Sequence, residues 1–183
     1  MSDGRRTNGA YPGIDILVGI EDDGWANWLP GEPEALVRRA VEAAAARADL
    51  PGDIETELGV TLTSDTAVKA LNRQWRAKDK PTNILSFPTR PIAPGQRPGP
   101  LMGDLVLALQ TCAAEAQAEE KSAGDHVAHL VVHGFLHLLG HDHLDDGQAE
   151  RMERMEILIL SDLSIDDPYR AAGEEYAVHG IER

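Results

Sequence analysis

The chain has 183 residues, of which 42% are hydrophobic and 4% aromatic, and its formal net charge is −14. This length suits one domain with a sizeable core, and the excess of acids argues against a nucleic-acid surface over the whole chain. The single cysteine, Cys112, excludes an internal disulfide framework and is expected to serve in packing. We see no secretory signal and no apolar run of about 20 residues, so we predict a cytoplasmic protein that does not enter a membrane.

The first part of the chain predicts one strand and one helix. Residues 1–13 are polar and contain glycine, and we predict a flexible lead. Apolar residues alternate with polar ones over 14–20, which indicates a strand. Pro33 is expected to open a helix that runs to about Ala48, because proline is favoured in the first helical turn. The segment between this strand and this helix is predicted to be a loop.

A second strand and a second helix follow. Residues 58–62 alternate in the same way as the first strand, and Ser64 or Asp65 is expected to cap a helix that ends near Arg76. The core face of this helix is predicted to consist of Val68, Leu71 and Trp75. Lys78 to Pro81 would form a charged turn.

The rest of the chain predicts two strands and three helices. The strands are expected over 84–87 and 103–108, and the loop between them, residues 88–100, is rich in proline and glycine. The helices are predicted over 109–121, 126–139 and 147–163. Met152, Met155 and Ile159 are expected on the inner face of the last helix, and residues 171–183 are predicted to form a flexible tail.

Histidines dominate the helix predicted over 126–139. His133 and His137 are four residues apart, which places both imidazoles on one face. Gly140 is expected to end the helix and turn the chain so that His143 reaches the same point. Three imidazoles around one point are typical of a catalytic zinc site with an open fourth position. His141 is an alternative third ligand, which would serve only if the helix continued through Gly140.

The spacing of these residues matches a known protease motif, apart from one residue. The second histidine, the glycine and the third histidine follow His133 by four, seven and ten residues, as in HExxHxxGxxH. Gly134 stands where that motif carries the glutamate that acts as general base. The pattern therefore favours a metal-assisted hydrolase of another bond over a metallopeptidase. Imidazole also suits nickel, copper and iron, so the spacing alone leaves the metal open.

Residues 73–97 are basic in an otherwise acidic chain, with six basic residues and one acid. A local basic surface can bind phosphate groups while the acidic remainder discourages indiscriminate binding. An ordinary solvated loop with long cationic side chains is the alternative. The cations concerned are Arg73, Arg76, Lys78, Lys80, Arg90 and Arg97.

Two separate blocks resemble the YbeY family of metal-dependent endoribonucleases. Residues 133–143, HGFLHLLGHDH, are similar to the family's histidine signature, and residues 71–88, LNRQWRAKDKPTNILSFP, are similar to its other diagnostic segment. Residues 103–104 and 167–169 also fit. The resemblance covers roughly residues 55–170 in the family's order and spacing.

The resemblance implies an α+β fold with a small mixed sheet. We predict one domain over residues 14–170, in which roughly four strands are packed by about five helices. It implies one zinc ion held by His133, His137 and His143 at the end of the histidine-bearing helix. The family's essential arginine falls on Arg76. Two residues depart from the family pattern and affect only the expected turn and rim: Ala77, where glycine is frequent, and His141, where tyrosine is common.

The family's function is implied as well. It is a single-strand-specific endoribonuclease activity in ribosomal RNA processing, especially at the 3′ end of the small-subunit RNA, and in ribosome quality control. Ribosomal RNA and the small ribosomal subunit are then the expected partners. The RNA backbone is expected to contact Arg73, Arg76, Lys78 and Lys80. A zinc-containing ribosome-assembly factor without catalytic activity is the alternative.

Two residues are predicted to be catalytic, His133 and Arg76. The guanidinium of Arg76 is expected to bind phosphoryl oxygens in the cleavage reaction. No glutamate follows His133, so Asp142 and His141 are candidates to assist proton transfer. His129 and Asp104 are candidates to orient a metal ligand.

Overall fold

The computed structural model describes residues 13–170, so the predicted flexible ends, residues 1–13 and 171–183, lie outside the described range except for Gly13. The strands are β1 (Ile14–Ile20), β2 (Thr56–Thr63), β3 (Ile84–Pro88) and β4 (Leu101–Ala108). The helices are α1 (Gly24–Trp28), α2 (Pro33–Arg47), α3 (Asp65–Arg76), α4 (Leu109–Ala118), α5 (Ala123–Leu138) and α6 (Asp146–Asp162).

The four strands form one mixed sheet in the order β1-β2-β4-β3. β1, β2 and β4 are parallel neighbours, and β3 runs antiparallel to β4 at the edge of the sheet. The predicted α+β fold with a small four-stranded mixed sheet is therefore confirmed. β4 is buried over nearly its whole length, because helices cover both of its faces.

Successive side chains of β3 point to opposite faces of the sheet, and this alternation separates two layers of helices. Leu85 packs with Val68 of α3 in a small apolar cluster on one face. Ile84 and Ser86 approach Gly134 of α5 on the other face. The second face carries the main core, formed with α2, α5 and α6. The edge strand β3 thus has α3 on one side and the histidine helix on the other.

The segment predicted as a loop between β1 and α2 contains the short helix α1, which corrects that prediction and makes six helices among the described residues. Trp25 in α1 is fully buried, and its Nε1 donates a hydrogen bond to the carbonyl of Thr63 at 2.9 Å. Five residues are too few to show a helical period, so the pattern gave no sign of this helix.

Most predicted helix ends agree with the structure, and the exceptions are the end of α4, which lies at Ala118 rather than 121, and the start of α5. α3 begins after Ser64, whose Oγ accepts a hydrogen bond from the Ala67 amide at 3.3 Å. α5 begins at Ala123 rather than 126, because the Ser122 side chain caps it. It ends at Leu138, and Gly140 has a φ of +89°, so the predicted glycine turn is confirmed.

The predicted core position of Trp75 is wrong, since 66% of this residue is exposed. It lies on the same side of α3 as Val68 and Leu71, which pack on the sheet. The helix continues one turn beyond this apolar cluster before Ala77 takes a left-handed conformation with a φ of 54°. The helical period predicts the correct side of α3, but the apolar cluster that contains Val68 and Leu71 does not extend to Trp75.

Other packing predictions hold. Met152 and Ile159 of α6 are buried and Met155 packs against the core, as expected for an inner face. Cys112 is fully buried in α4, and burial raises the pKa of its thiol, which suits a packing residue. No helix between residues 13 and 170 is both long and apolar enough to cross a membrane.

Candidate metal centre

Three histidines converge at the end of α5. The Nε2 atoms of His133 and His137, one helical turn apart, are separated by 3.0 Å. The turn at Gly140 brings back His143, whose ring centroid lies 5.2 Å from that of His137 and 5.9 Å from that of His133. One ligand atom from each of the three rings lies within 4.8 Å of the others. His141 does not belong to this group.

The donor set fits a divalent transition metal. Tetrahedral zinc with Zn–N bonds of about 2.0–2.1 Å places its nitrogen ligands roughly 3.3 Å apart, close to the separation of the His133 and His137 nitrogens. Neutral imidazole is a common ligand for zinc, copper, nickel and iron. His143 is exposed and the other two rings are partly buried, so one side of the site opens to solvent. The histidine cluster could therefore hold a metal ion with room for a further ligand.

A buried carboxylate that the sequence analysis did not identify lies behind His133. Glu156 of α6 is completely buried, and its Oε1 accepts a hydrogen bond from His133 Nδ1 at 2.5 Å. The hydroxyl of Tyr169 donates to the other oxygen, and His129 Nε2 lies 3.6 Å from Oε1. The available signal was an acidic residue on the apolar face of α6, between Met152 and Ile159.

The charge of Glu156 determines which nitrogen of His133 can bind a metal. Burial alone would raise the pKa of this carboxyl, but hydrogen bonds from His129, His133 and Tyr169 outweigh it and lower the pKa to about 2. An ionised carboxylate can only accept hydrogen bonds, so His133 must carry a proton on Nδ1. Its Nε2 therefore presents a lone pair toward His137 and His143.

The environment of His137 also favours the metal-binding form. Burial, together with the neighbouring rings of His133 and His143, lowers the pKa of this imidazole to about 4. His137 is consequently neutral at physiological pH. A neutral ring has the lone pair that a metal ligand requires.

The histidine cluster opens into a cavity of about 1090 Å³. Arg76 at the end of α3 lines it, together with Ile84, Ser86 and Pro88 of β3. His141 and Asp142 stand at its rim beside His143, and Asp142 Oδ1 accepts a hydrogen bond from the His143 amide at 2.8 Å. Glu115, Glu119, Lys121 and His126 also line the cavity.

The predicted basic residues do not all lie in this cavity. Arg76 does, whereas Arg73 lines a separate shallow hollow on the outer side of α3. Lys78 and Lys80 are exposed in the turn after α3 and line neither the cavity nor the shallow hollow. Asp104 is exposed on β4 and is also absent from the cavity lining.

Gly134 explains the missing glutamate. A Cβ at this position would lie 2.7 Å from Ile84 Cδ1 and 2.9 Å from Leu105 Cδ2. The residue after His133 therefore faces the sheet at close range, and a glutamate side chain would collide with β3 and β4. Glu156 does not replace that base, because it is fully buried behind His133.

The fold and the site define a class: an α+β protein with a four-stranded mixed sheet and a cluster of three histidines that could hold a metal ion. A family model described as Endoribonuclease YbeY matches residues 25–164. The chain belongs to the YbeY family, as the two sequence blocks predicted.

Similar proteins agree with this assignment. An Endoribonuclease YbeY from Azorhizobium caulinodans is 49% identical over 161 residues, covering 88% of this chain and 98% of the relative. One from Allorhizobium ampelinum is 46% identical over 160 residues, covering 85% and 95%. A solution structure from Thermotoga maritima matches with a TM-score of 0.53 at 20% identity, covering 89% of this chain and 99% of that one. This last likeness supports the fold alone.

Proposed function

We propose that this chain is a single-strand-specific, zinc-dependent endoribonuclease of the cytoplasm. Its role would be ribosomal RNA processing, including 3′-end maturation of the small-subunit RNA, and ribosome quality control, with the small ribosomal subunit as partner. The observation that carries the proposal is the convergence of His133, His137 and His143 in a cavity that Arg76 also lines. The relatives named Endoribonuclease YbeY support RNA as the substrate class.

His133, His137 and His143 would hold the zinc ion. A bound zinc ion supplies a water molecule whose pKa falls from 15.7 to about 7, together with a Lewis acid for a phosphoryl oxygen. The protein contributes the geometry. Glu156 holds His133 in the tautomer with a free Nε2, and α5 holds His137 one turn away.

Arg76 would bind the scissile phosphate. Phosphodiester cleavage places additional negative charge on the non-bridging oxygens, and a planar guanidinium can contact two of them at once. The Arg76 side chain forms no ion pair with any of residues 13–170, so it is available to a substrate. Its position at the open edge of β3 would place a phosphate between α3 and the histidine cluster.

His141 and Asp142 are the candidates for proton transfer. Both line the rim of the cavity next to His143, where a reacting water or a ribose hydroxyl would lie. Burial lowers the pKa of His141, with Arg151 contributing in the same direction, so this ring is neutral near pH 7 and can accept a proton.

The two alternative functions each lack a structural requirement. A metallopeptidase of the HExxH type needs a glutamate where Gly134 packs against β3. A closed structural zinc site usually has four protein ligands, whereas the cluster among the described residues has three. The open side of the site favours catalysis over a purely structural role.

A metal-dependence assay tests the proposed function. The purified protein is stripped with a chelator and incubated with a single-stranded RNA spanning a small-subunit 3′ end, or with the matching duplex. We expect cleavage of the single strand only after zinc is restored, with elemental analysis showing one zinc ion per chain. Equally fast cleavage by protein without detectable metal would contradict the proposal. Digestion of an unstructured protein with RNA left intact would favour a peptidase instead.

A further inference from the structure

Trp75 is the largest exposed apolar side chain among the described residues, with 66% of its surface accessible. The other two tryptophans behave differently. Trp25 is fully buried, and Trp28 is partly buried against the main core. Removing an indole from water is favourable, so this exposed tryptophan is available to pack against a partner.

The surroundings of Trp75 are strongly cationic. Residues 73–80 contain four basic residues and one acid, and all eight are exposed. None of the four cations forms an ion pair with another side chain within the described range. Charges that are not used within the molecule are free to attract an anionic partner. The four are Arg73, Arg76, Lys78 and Lys80.

The turn that carries two of these cations is held against the helix. The buried side chain of Asn72 donates a hydrogen bond from Nδ2 to the carbonyl of Lys80 at 2.8 Å. The backbone carbonyl of Asn72 accepts a hydrogen bond from the Lys78 amide at 3.2 Å. The exposed indole and the neighbouring charges therefore stand on a fixed frame, and binding need not order the turn first.

The position of Trp75 relates this surface to the histidine cluster. Arg76, the next residue, lines the cavity, while Trp75 lies on the side of α3 that faces the sheet, beyond the last packed residue of that side. A polyanion that places a phosphate at Arg76 would bring the adjoining unit of the chain close to the indole. An RNA strand offers that unit as a base.

We propose that Trp75 is a stacking platform for an unpaired RNA base, flanked by Lys78 and Lys80 as phosphate contacts. This inference rests on the proposed function and adds a base-binding subsite outside the cavity. Stacking on an aromatic ring requires an unpaired and unstacked base. Because every base has a flat aromatic face, this stacking does not depend on the RNA sequence. The subsite should therefore bind single-stranded RNA more tightly than duplex RNA, without preference for a particular base sequence.

Binding is measured separately from cleavage. A fluorescein-labelled single-stranded oligoribonucleotide and its duplex are titrated with the full-length protein in EDTA, which blocks the metal-dependent step. We expect Trp75→Ala to raise the Kd for the single strand about 5- to 100-fold, with Trp75→Phe in between. Leu17→Ala removes a half-exposed apolar side chain from β1, at the opposite edge of the sheet, and should leave the Kd unchanged.

Tryptophan fluorescence gives a second readout. Unlabelled RNA should quench the emission of the wild type, and most of this quenching should vanish in Trp75→Ala, whose remaining tryptophans pack into the core. Unchanged melting temperatures would show that the variants fold.

The possible failures are distinguishable. If the wild type binds and cleaves RNA but Trp75→Ala has the same Kd, the stacking proposal is wrong while the proposed function stands. A protein partner would then be the alternative occupant of this surface. Equal affinity for the duplex would also overturn the platform. A wild type that binds no RNA would overturn the platform and the proposed function together.

Discussion

The two sides of the cavity are built in opposite ways. On the histidine side, formed by α5, α6 and residues 140–143, polar groups are interconnected, and Glu156 is buried with hydrogen bonds to both of its oxygens. On the arginine side, formed by the end of α3 and residues 77–80, the cations are exposed and form no ion pair with a side chain of residues 13–170.

This difference matches two separate tasks. A metal ligand must be held in one tautomer and one orientation, which requires buried hydrogen-bond partners. A group that binds a mobile polyanion must remain accessible and uncommitted. Substitutions on the two sides should therefore fail differently: on the histidine side through the metal and the fold, and on the arginine side through the substrate alone.

The largest effect is expected for His133→Ala. This change removes a proposed metal ligand and deprives the buried Glu156 carboxylate of a hydrogen-bond donor. We expect RNA cleavage at background level and a metal-free protein less stable by about 1–3 kcal/mol, measured by denaturant unfolding. His143→Ala is the matched control, because His143 is exposed and does not contact Glu156. It should lose the metal and keep its stability. Equal destabilisation of both metal-free variants would contradict the role assigned to Glu156.

A smaller but still large effect is expected for Arg76→Glu. Loss of a preorganised donor to the reacting phosphate should lower the cleavage rate about 100- to 1000-fold, while elemental analysis finds the same zinc content. Arg154→Glu provides the control, since Arg154 is an exposed arginine of α6 whose nearest acid, Glu150, lies 3.9 Å away. It should leave the rate nearly unchanged. Loss of zinc in Arg76→Glu would contradict the view that the arginine side acts only on the substrate.

The smallest effects are expected from Glu156, which accepts a hydrogen bond from His133, and from Tyr169, which donates one to Glu156. Glu156→Gln preserves the shape but removes the charge that holds the tautomer, and we expect zinc affinity to fall about 10- to 100-fold. Tyr169→Phe keeps the ring packed on His129, with centroids 5.6 Å apart, and removes one hydrogen bond to Glu156, so its loss should be smaller. Competition with a chromogenic chelator measures both. Glu150→Gln, an exposed change on the same helix, should have no effect.

Local sequence patterns were sufficient to predict the strands of the sheet and the histidine cluster. Short apolar segments predicted all four strands, two of them through a clear alternation of apolar residues. The spacing of His133, His137 and Gly140 predicted the cluster, because helix geometry places residues four apart on one face. Glu156 was not anticipated, since its partner lies 23 residues away and the contact depends on how α6 packs on α5. The position of Trp75 was not predicted, because the apolar period indicates which side of a helix faces inward and does not indicate how far along the helix the packing extends.

Tyr169 and Glu156, which form a hydrogen bond in the folded protein, are synthesised after the histidine cluster that they support. All three histidines leave the ribosome before the carboxylate that orients His133, and the phenol that completes the arrangement emerges later still. A nascent chain that has passed His143 thus exposes three imidazoles whose tautomers are not yet selected. Premature termination between residues 144 and 168 would leave a fragment that has all three histidines but lacks the Tyr169 hydroxyl, and termination before residue 156 would remove the Glu156 carboxylate as well.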